Sequence, residues 1–121
     1  MAVRHYRRLN DVTKFDAYPM TRADRGLDFL NGSTFFTTID LASGFHQVRM
    51  DDQSKEQTTF LTPDGLFQFT RMPFGLKCAP ATFKRLMDIV LAGLSWRNCL
   101  VYLDDILTFT SGEFAEHLQA I

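Results

Sequence analysis

Three things are missing from this chain of 121 residues, and each absence closes off a class of function. There is no basic surplus: 13 Lys and Arg face 14 Asp and Glu, for a net charge of −1 and an isoelectric point near 6.3. A chain that grips nucleic acid unaided draws its phosphate contacts from Lys and Arg, so a self-sufficient nucleic-acid clamp is disfavoured. A catalytic domain whose acids offset its bases is not. There is no apolar run of about 18 residues, the length needed to span a membrane. The start, Met1 to Arg8, also lacks the apolar stretch of a secretory signal. The expectation is a soluble intracellular protein, cytoplasmic or nuclear, neither secreted nor membrane-bound. Cysteine is scarce too. Cys78 and Cys99 form no close pair and no metal-ligand spacing, and they read as buried free thiols. Repeats, low-complexity tracts and Ser/Pro-rich linkers are absent as well, which leaves one domain as the default.

What the chain does have is phenylalanine, 12 residues against 1 Trp and 3 Tyr, within a hydrophobic content of 45%. A core rich in large flat side chains follows. Leu9 to Pro19 is polar and without period, and reads as irregular. Thr21 to Leu30 reads as a short helix closed by Asn31-Gly32, with Gly26 weakening it. Thr34 to Leu41 is β-branched and aromatic, the composition of a strand. After Ser43-Gly44 the chain resumes as extended from Phe45 to Met50. Asp51 to Gln57 is a loop or a single helical turn. Thr58 to Leu61 and Leu66 to Arg71 flank Thr62-Pro63-Asp64-Gly65, a hairpin signal, and Pro73-Phe74-Gly75 marks a second turn. Pro80 suits the first turn of a helix. Phe83, Leu86, Met87, Val90, Leu91 and Leu94 follow at spacings of three and four, an amphipathic pattern. Cys99 to Leu103 and Ile106 to Phe109 are apolar and β-prone, and Glu113 to Ile121 reads as helix. This order predicts an α+β fold, an antiparallel sheet with helices packed on one face.

Asp104 and Asp105 sit between two apolar runs, at the tip of the expected last hairpin. Adjacent carboxylates repel each other and burying either is costly, so stability alone does not favour the pair. A divalent cation resolves the conflict by supplying positive charge. A solvated turn, in which Asp is common, is the plainer account. Asp40 adds a third acid at the end of Phe35 to Ile39, where it serves equally as a cap for the Ser43-Gly44 turn. If the three converge, they offer hard oxygen ligands suited to Mg²⁺ and to phosphoryl chemistry with two ions.

Three segments carry a resemblance. Phe36-Thr37-Thr38-Ile39-Asp40-Leu41-Ala42-Ser43-Gly44-Phe45-His46-Gln47 resembles the first catalytic motif of reverse transcriptases from long-terminal-repeat retrotransposons. Met72-Pro73-Phe74-Gly75-Leu76-Lys77-Cys78-Ala79-Pro80-Ala81-Thr82-Phe83 resembles the second, and Val101-Tyr102-Leu103-Asp104-Asp105-Ile106 the third, the paired-aspartate box. They stand in the family's order at family-like spacing. Tyr6-Arg7-Arg8-Leu9-Asn10 and Tyr18-Pro19 are similar to the stretch before the first motif. The wording is nearest to the Ty3/gypsy class.

The resemblance implies a polymerase palm with partial fingers, the fingers over about residues 1–33 and the palm over about 34–121 with an intervening fingers segment. It implies that Asp40, Asp104 and Asp105 hold two Mg²⁺ ions, for which Mn²⁺ would substitute, with the Leu41 carbonyl as a further ligand. Phe45 would lie under the incoming sugar and exclude a 2′-hydroxyl, or else be a plain core phenylalanine. Phe74 and Gly75 would line the nucleotide pocket, and Arg7 would belong to the fingers or simply to the surface. Tyr102 and Leu103 would support the primer end, and Lys77 would face template phosphate or solvent. The implied partners are an RNA or DNA template with a DNA primer, deoxynucleoside triphosphates, and the remainder of a Pol polyprotein.

Departures from the family pattern are His5 in place of an acid, Cys78 in place of Asn, and Ala23, Arg25 and Gly26 in a normally regular helix. The chain opens after the family's triphosphate-gripping basic residues, and thumb, connection and RNase H have no counterpart in it. The expectation is therefore a fragment of RNA-directed DNA polymerase with little or no activity alone. The alternatives are a remnant of a decayed retroelement, or another two-metal enzyme such as a nuclease.

Overall fold

The computed structural model describes residues 6–19, 26, 28–94 and 97–121. Its chain divides into two compact units, Met1–Ala17 with Ser43–Phe83, and Tyr18–Ala42 with Lys84–Ile121.

In the first unit, Arg7–Val12 forms helix α1, where the sequence suggested irregular chain. The reason for the difference is that α1 buries none of its residues, so it carries no apolar stripe to betray it. A second correction falls at Gly44–Gln47, a single helical turn (α2) entered through Ser43 at φ 51. Extended chain starts only at Val48, where Met50 donates to Thr70 and Met72 to Val48 across the Arg49–Arg71 bridge. The left-handed Ser43 makes the tight reversal that the strand pattern alone concealed.

Asp51 caps α3 (Asp52–Lys55) by accepting from the Gln53 amide, and a 3₁₀ turn, Glu56–Thr58, follows. Thr58 is almost wholly buried. Its hydroxyl donates to the Lys55 carbonyl and accepts from the Phe69 amide, so the buried oxygen is satisfied on both sides. Pro63-Asp64 then joins β2 (Phe60–Thr62) to β3 (Gly65–Phe67) as the hairpin that the turn residues indicate.

Helix α4 (Ala79–Val90) begins next to Pro80 as expected and buries Ala79, Ala81, Phe83, Lys84 and Met87 at helical spacing. Leu91 to Leu94, the last of the periodic residues, form turns rather than helix. In the second unit, Lys84 is buried but pairs with Asp88 one turn on. Tyr18 donates its hydroxyl to the same Asp88 (2.9 Å), and the Arg85 guanidinium lies over its ring.

The second unit is built on a three-stranded antiparallel sheet ordered β1 (Phe35–Asp40), β5 (Asp105–Thr110), β4 (Cys99–Tyr102). Exposure alternates along β1, with Phe36, Thr38 and Asp40 outward. Helix α5 (Phe114–Ala120) opens with a reciprocal Glu113–Glu116 capping box and packs Phe114 and His117 against Phe35. His117 is 2% exposed, with Nε2 at 2.9 Å from the Thr37 hydroxyl and Nδ1 at 2.8 Å from that of Thr110. Each hydroxyl serves as donor or acceptor as needed, so both ring nitrogens are satisfied. His117→Leu keeps the volume but leaves two threonine hydroxyls short of partners. It is expected to cost about 2 kcal/mol in urea or thermal unfolding; an unchanged midpoint would show that α5 is held by its apolar contacts alone.

The helix expected over Thr21 to Leu30 falls largely outside the described residues, where Gly26, Asp28 and Phe29 are helical. His5, Ala23 and Arg25 lie outside them too. Neither cysteine forms a disulfide among the described residues; Cys99 is buried and Cys78 half-buried. No helix among the described residues is long and apolar enough to cross a membrane.

Candidate active site

β1 ends on Asp40 and the central strand β5 begins with Asp105, so both bring an acid to the same end of the sheet. In the β1–β5 ladder, Asp40 is the direct partner of Asp105, and in the β4–β5 ladder Tyr102 pairs with the same Asp105. Directly opposed residues of antiparallel strands share a face, so Tyr102, Asp105 and Asp40 form one row, all three exposed. Two carboxylates facing each other across a ladder destabilise it. The row is therefore not explained by the stability of the sheet.

Asp104 completes the group from the two-residue turn between β4 and β5. Leu103, its companion, sits at φ 54, a left-handed backbone that costs a residue with a Cβ roughly 1 kcal/mol. A positive φ at the start of a two-residue hairpin suits strand twist, which accounts for the turn if not for the choice of leucine. The Leu41 amide donates to the Asp104 carbonyl (3.1 Å) and ties the residue after Asp40 to this tip. The carbonyl of Leu41 takes no part in that bond.

Asp104 is electrostatically uncomfortable. Partial burial, then the charges of Asp40 and Asp105, push its carboxyl above the usual carboxylate range. Its Oδ1 is shut off from solvent and accepts no hydrogen bond from the described residues. A buried acceptor in that condition costs free energy unless something cationic or protic reaches it. The donor set, three carboxylates with one shielded free oxygen, fits a hard divalent cation. Among the described residues no three or more His, Cys, Asp or Glu side chains close around a metal position. Strand pairing makes Asp40 and Asp105 direct neighbours, and the charges of both reach Asp104. That suits Mg²⁺, which binds through one or two carboxylates and leaves its other positions to water and phosphate.

The raised Asp104 pKa has a consequence for stability. The folded state favours the neutral acid, so this contribution is fully present below the unfolded-state pKa and is lost as pH rises through the higher folded value. Between those two values the melting temperature of the metal-free chain is expected to fall with pH, and Asp104→Asn should remove that part of the slope. An identical slope in the variant would mean that other groups set it.

Phe45, Phe74, Gly75, Arg7 and Lys77 belong to the first unit. Phe45 is half-buried in α2, its ring 5.3 Å from that of Phe74 and 5.4 Å from that of Phe83. His46 meets Phe74 edge-on from the next position. Gly75 is exposed at φ 91, a conformation that its missing Cβ makes accessible. Arg7 is exposed at the start of α1. Lys77 gives two of its three ammonium hydrogens to the Asn10 and Thr13 carbonyls, at 3.2 and 3.0 Å, capping the end of α1. Asn10, to which the sequence reading assigns no role, proves to be the partner of both Gly75 and Lys77. Nothing near it in the chain announces contacts more than 60 residues away.

The reverse transcriptase (RNA-dependent DNA polymerase) family matches residues 2–121. The retrovirus-related Pol polyprotein from transposon 297 of Drosophila melanogaster is 49% identical over 116 residues, covering 96% of this chain and 11% of the polyprotein. That from transposon gypsy of the same organism is 39% identical over 116 residues, 96% of this chain and 11% of its own length. The enzymatic polyprotein of Cauliflower mosaic virus (strain Strasbourg) is 39% identical over 114 residues, with 94% and 16% covered. Among solved structures, the foamy viral protease-reverse transcriptase in complex with RNA/DNA hybrid superposes with a TM-score of 0.77 at 26% identity, over 95% of this chain and 15% of that one. The chain spans about a tenth of the transposon polyproteins it matches. Fold, motif order and identity agree: this chain belongs to the reverse transcriptase family.

Proposed function

We propose that this segment is the palm, with part of the fingers, of an RNA-directed DNA polymerase that extends a DNA primer on an RNA or DNA template. The observation that carries the reading is the pairing of Asp40 with Asp105 beside Asp104, whose shielded Oδ1 has no hydrogen-bond partner among the described residues. The division between fingers and palm falls near residue 33, as the motif order suggests.

In this reading the three carboxylates hold two Mg²⁺ ions, or Mn²⁺ in their place, with the Leu41 carbonyl as an added ligand. Ions held there would supply Lewis-acid activation of the primer 3′-hydroxyl and charge neutralisation at the leaving oxygen. The hydroxyl would attack the α-phosphorus of a deoxynucleoside triphosphate: the new P–O bond forms as the bond from the α-phosphorus to the bridging oxygen breaks, pyrophosphate leaves, and the hydroxyl proton passes to water. Phe45 supports the sugar and excludes a 2′-hydroxyl, with Phe74 and Phe83 bracing its ring. Phe74 and Gly75 line the nucleotide pocket, and Gly75 allows close backbone approach. Arg7, free on the surface of α1, is available to phosphate. Tyr102 and Leu103 support the primer end, and Lys77 has one ammonium hydrogen left for template. The parent would be a Pol polyprotein acting inside the cell, in cytoplasm or nucleus.

The test is an end-labelled primer on an RNA template with deoxynucleotides and Mg²⁺, using the polymerase that carries this segment. Longer products that disappear on chelation, and in the double variant Asp104→Asn, Asp105→Asn, are expected. Shortened strands would favour a nuclease on the same acids, and no change in either strand would favour a decayed element.

A further inference from the structure

The Pro73-Phe74-Gly75 turn holds Gly75 in a left-handed conformation at φ 91. Support for it comes from a residue 65 positions away in the chain. Asn10, in α1, donates from Nδ2 to the Gly75 carbonyl (2.7 Å) and accepts at Oδ1 from the Lys77 backbone N–H (2.9 Å). A carbonyl only accepts and a backbone amide only donates, so the amide has a single workable orientation. Aspartate offers no donor to Gly75, alanine offers nothing, and glutamine carries its amide one methylene further out. The contact is thus specific to asparagine.

The same stretch is sewn down further. Lys77 Nζ reaches the Asn10 and Thr13 carbonyls, and Cys78 Sγ donates to the Lys14 carbonyl at 3.4 Å. Five hydrogen bonds therefore tie the end of α1 to residues 75–78. No residue of α1 is buried, so apolar packing does not account for this junction. Hydrogen bonds are directional, and a junction made of them fixes where the turn points.

We propose that Asn10 is a positioning residue for nucleotide binding. Its amide holds the Gly75 carbonyl and the Lys77 N–H in register, so that Phe74 and Gly75 are presented to the incoming triphosphate in one conformation. The proposal rests on the reading of Phe74 and Gly75 as nucleotide-contacting residues.

The experiment compares Asn10→Ala and Asn10→Asp with the parent polymerase, in steady-state extension with deoxynucleotide varied and then with primer–template varied. Phe45→Ala is run in parallel as an independent report on the nucleotide pocket. Both Asn10 variants are expected to raise the KM for deoxynucleotide on the order of tenfold. The KM for primer–template should be unchanged, and amide exchange at Lys77 should speed up. Asn10→Asp should not rescue, since it keeps the Lys77 bond but turns the Gly75 contact repulsive. An unchanged deoxynucleotide KM, while Phe45→Ala alters ribonucleotide discrimination, would overturn the proposal and leave the pocket reading standing. If Phe45→Ala also has no effect, the pocket reading itself falls and takes the proposal with it. A rise confined to the primer–template KM would assign the clamp to template and equally overturn the proposal.

Discussion

Asp104→Asn is expected to make the chain more stable while reducing primer extension on the order of a thousandfold in the polymerase that carries it. The two effects share one cause. Asp104 is pushed toward its neutral form by burial and by Asp40 and Asp105, so the fold disfavours its charged form. An amide of the same shape removes the repulsion, a gain of about 1 kcal/mol, or a few degrees in melting temperature. What it would lose, if the proposed metal site is right, is the negative charge that draws a cation to the shielded Oδ1. Thermal melts without divalent metal and extension rates at saturating substrate measure the two sides separately. A variant that melts lower and extends normally would make Asp104 a structural turn residue, the plainer account of an Asp-Asp pair.

The second large effect concerns the sugar. Phe45→Ala is expected to reduce discrimination against ribonucleotides on the order of a hundredfold, read as the ratio of kcat/KM for deoxynucleotide and ribonucleotide. The ring is braced by Phe74 and Phe83 and is only half-buried, which leaves an edge available to a ligand. Losing those ring contacts also costs stability, about 2 kcal/mol for a partly buried phenylalanine. Phe45→Leu, which retains most of the volume, separates the effects: it should fold nearly normally and still relax discrimination. Destabilisation without any change in sugar preference would return Phe45 to the core.

Much of this architecture is legible in the chain because local chemistry and tertiary context agree. The alternating β1 pattern, the Pro-Asp-Gly hairpin and the three-and-four spacing of α4 each name their element from neighbouring residues alone. Helix α1 is not legible, since it buries nothing and is anchored by Asn10 and Lys77 across more than 60 residues. Helix α2 hides inside a strand-like composition, because one left-handed serine turns the chain before it. The acids themselves stand out as carboxylates among apolar residues. Their convergence depends on the β1–β5 register, a long-range pairing that no local pattern encodes. Nor does anything in a leucine announce the positive φ at Leu103.

The gathering of Asp40, Asp104 and Asp105 around a divalent cation is tested most directly by letting the cation mark its own position. Fe²⁺, replacing Mg²⁺ in the polymerase bound to primer–template and deoxynucleotide, generates hydroxyl radicals with ascorbate and peroxide that cut the backbone nearby. Cuts are expected in two places, around Asp40–Leu41 and around Leu103–Asp105. Both should fade with excess Mg²⁺ and vanish in the Asp104→Asn, Asp105→Asn double variant. Scission elsewhere in the chain, or cuts that persist unchanged in the double variant, would contradict the assignment of these three aspartates as the metal site.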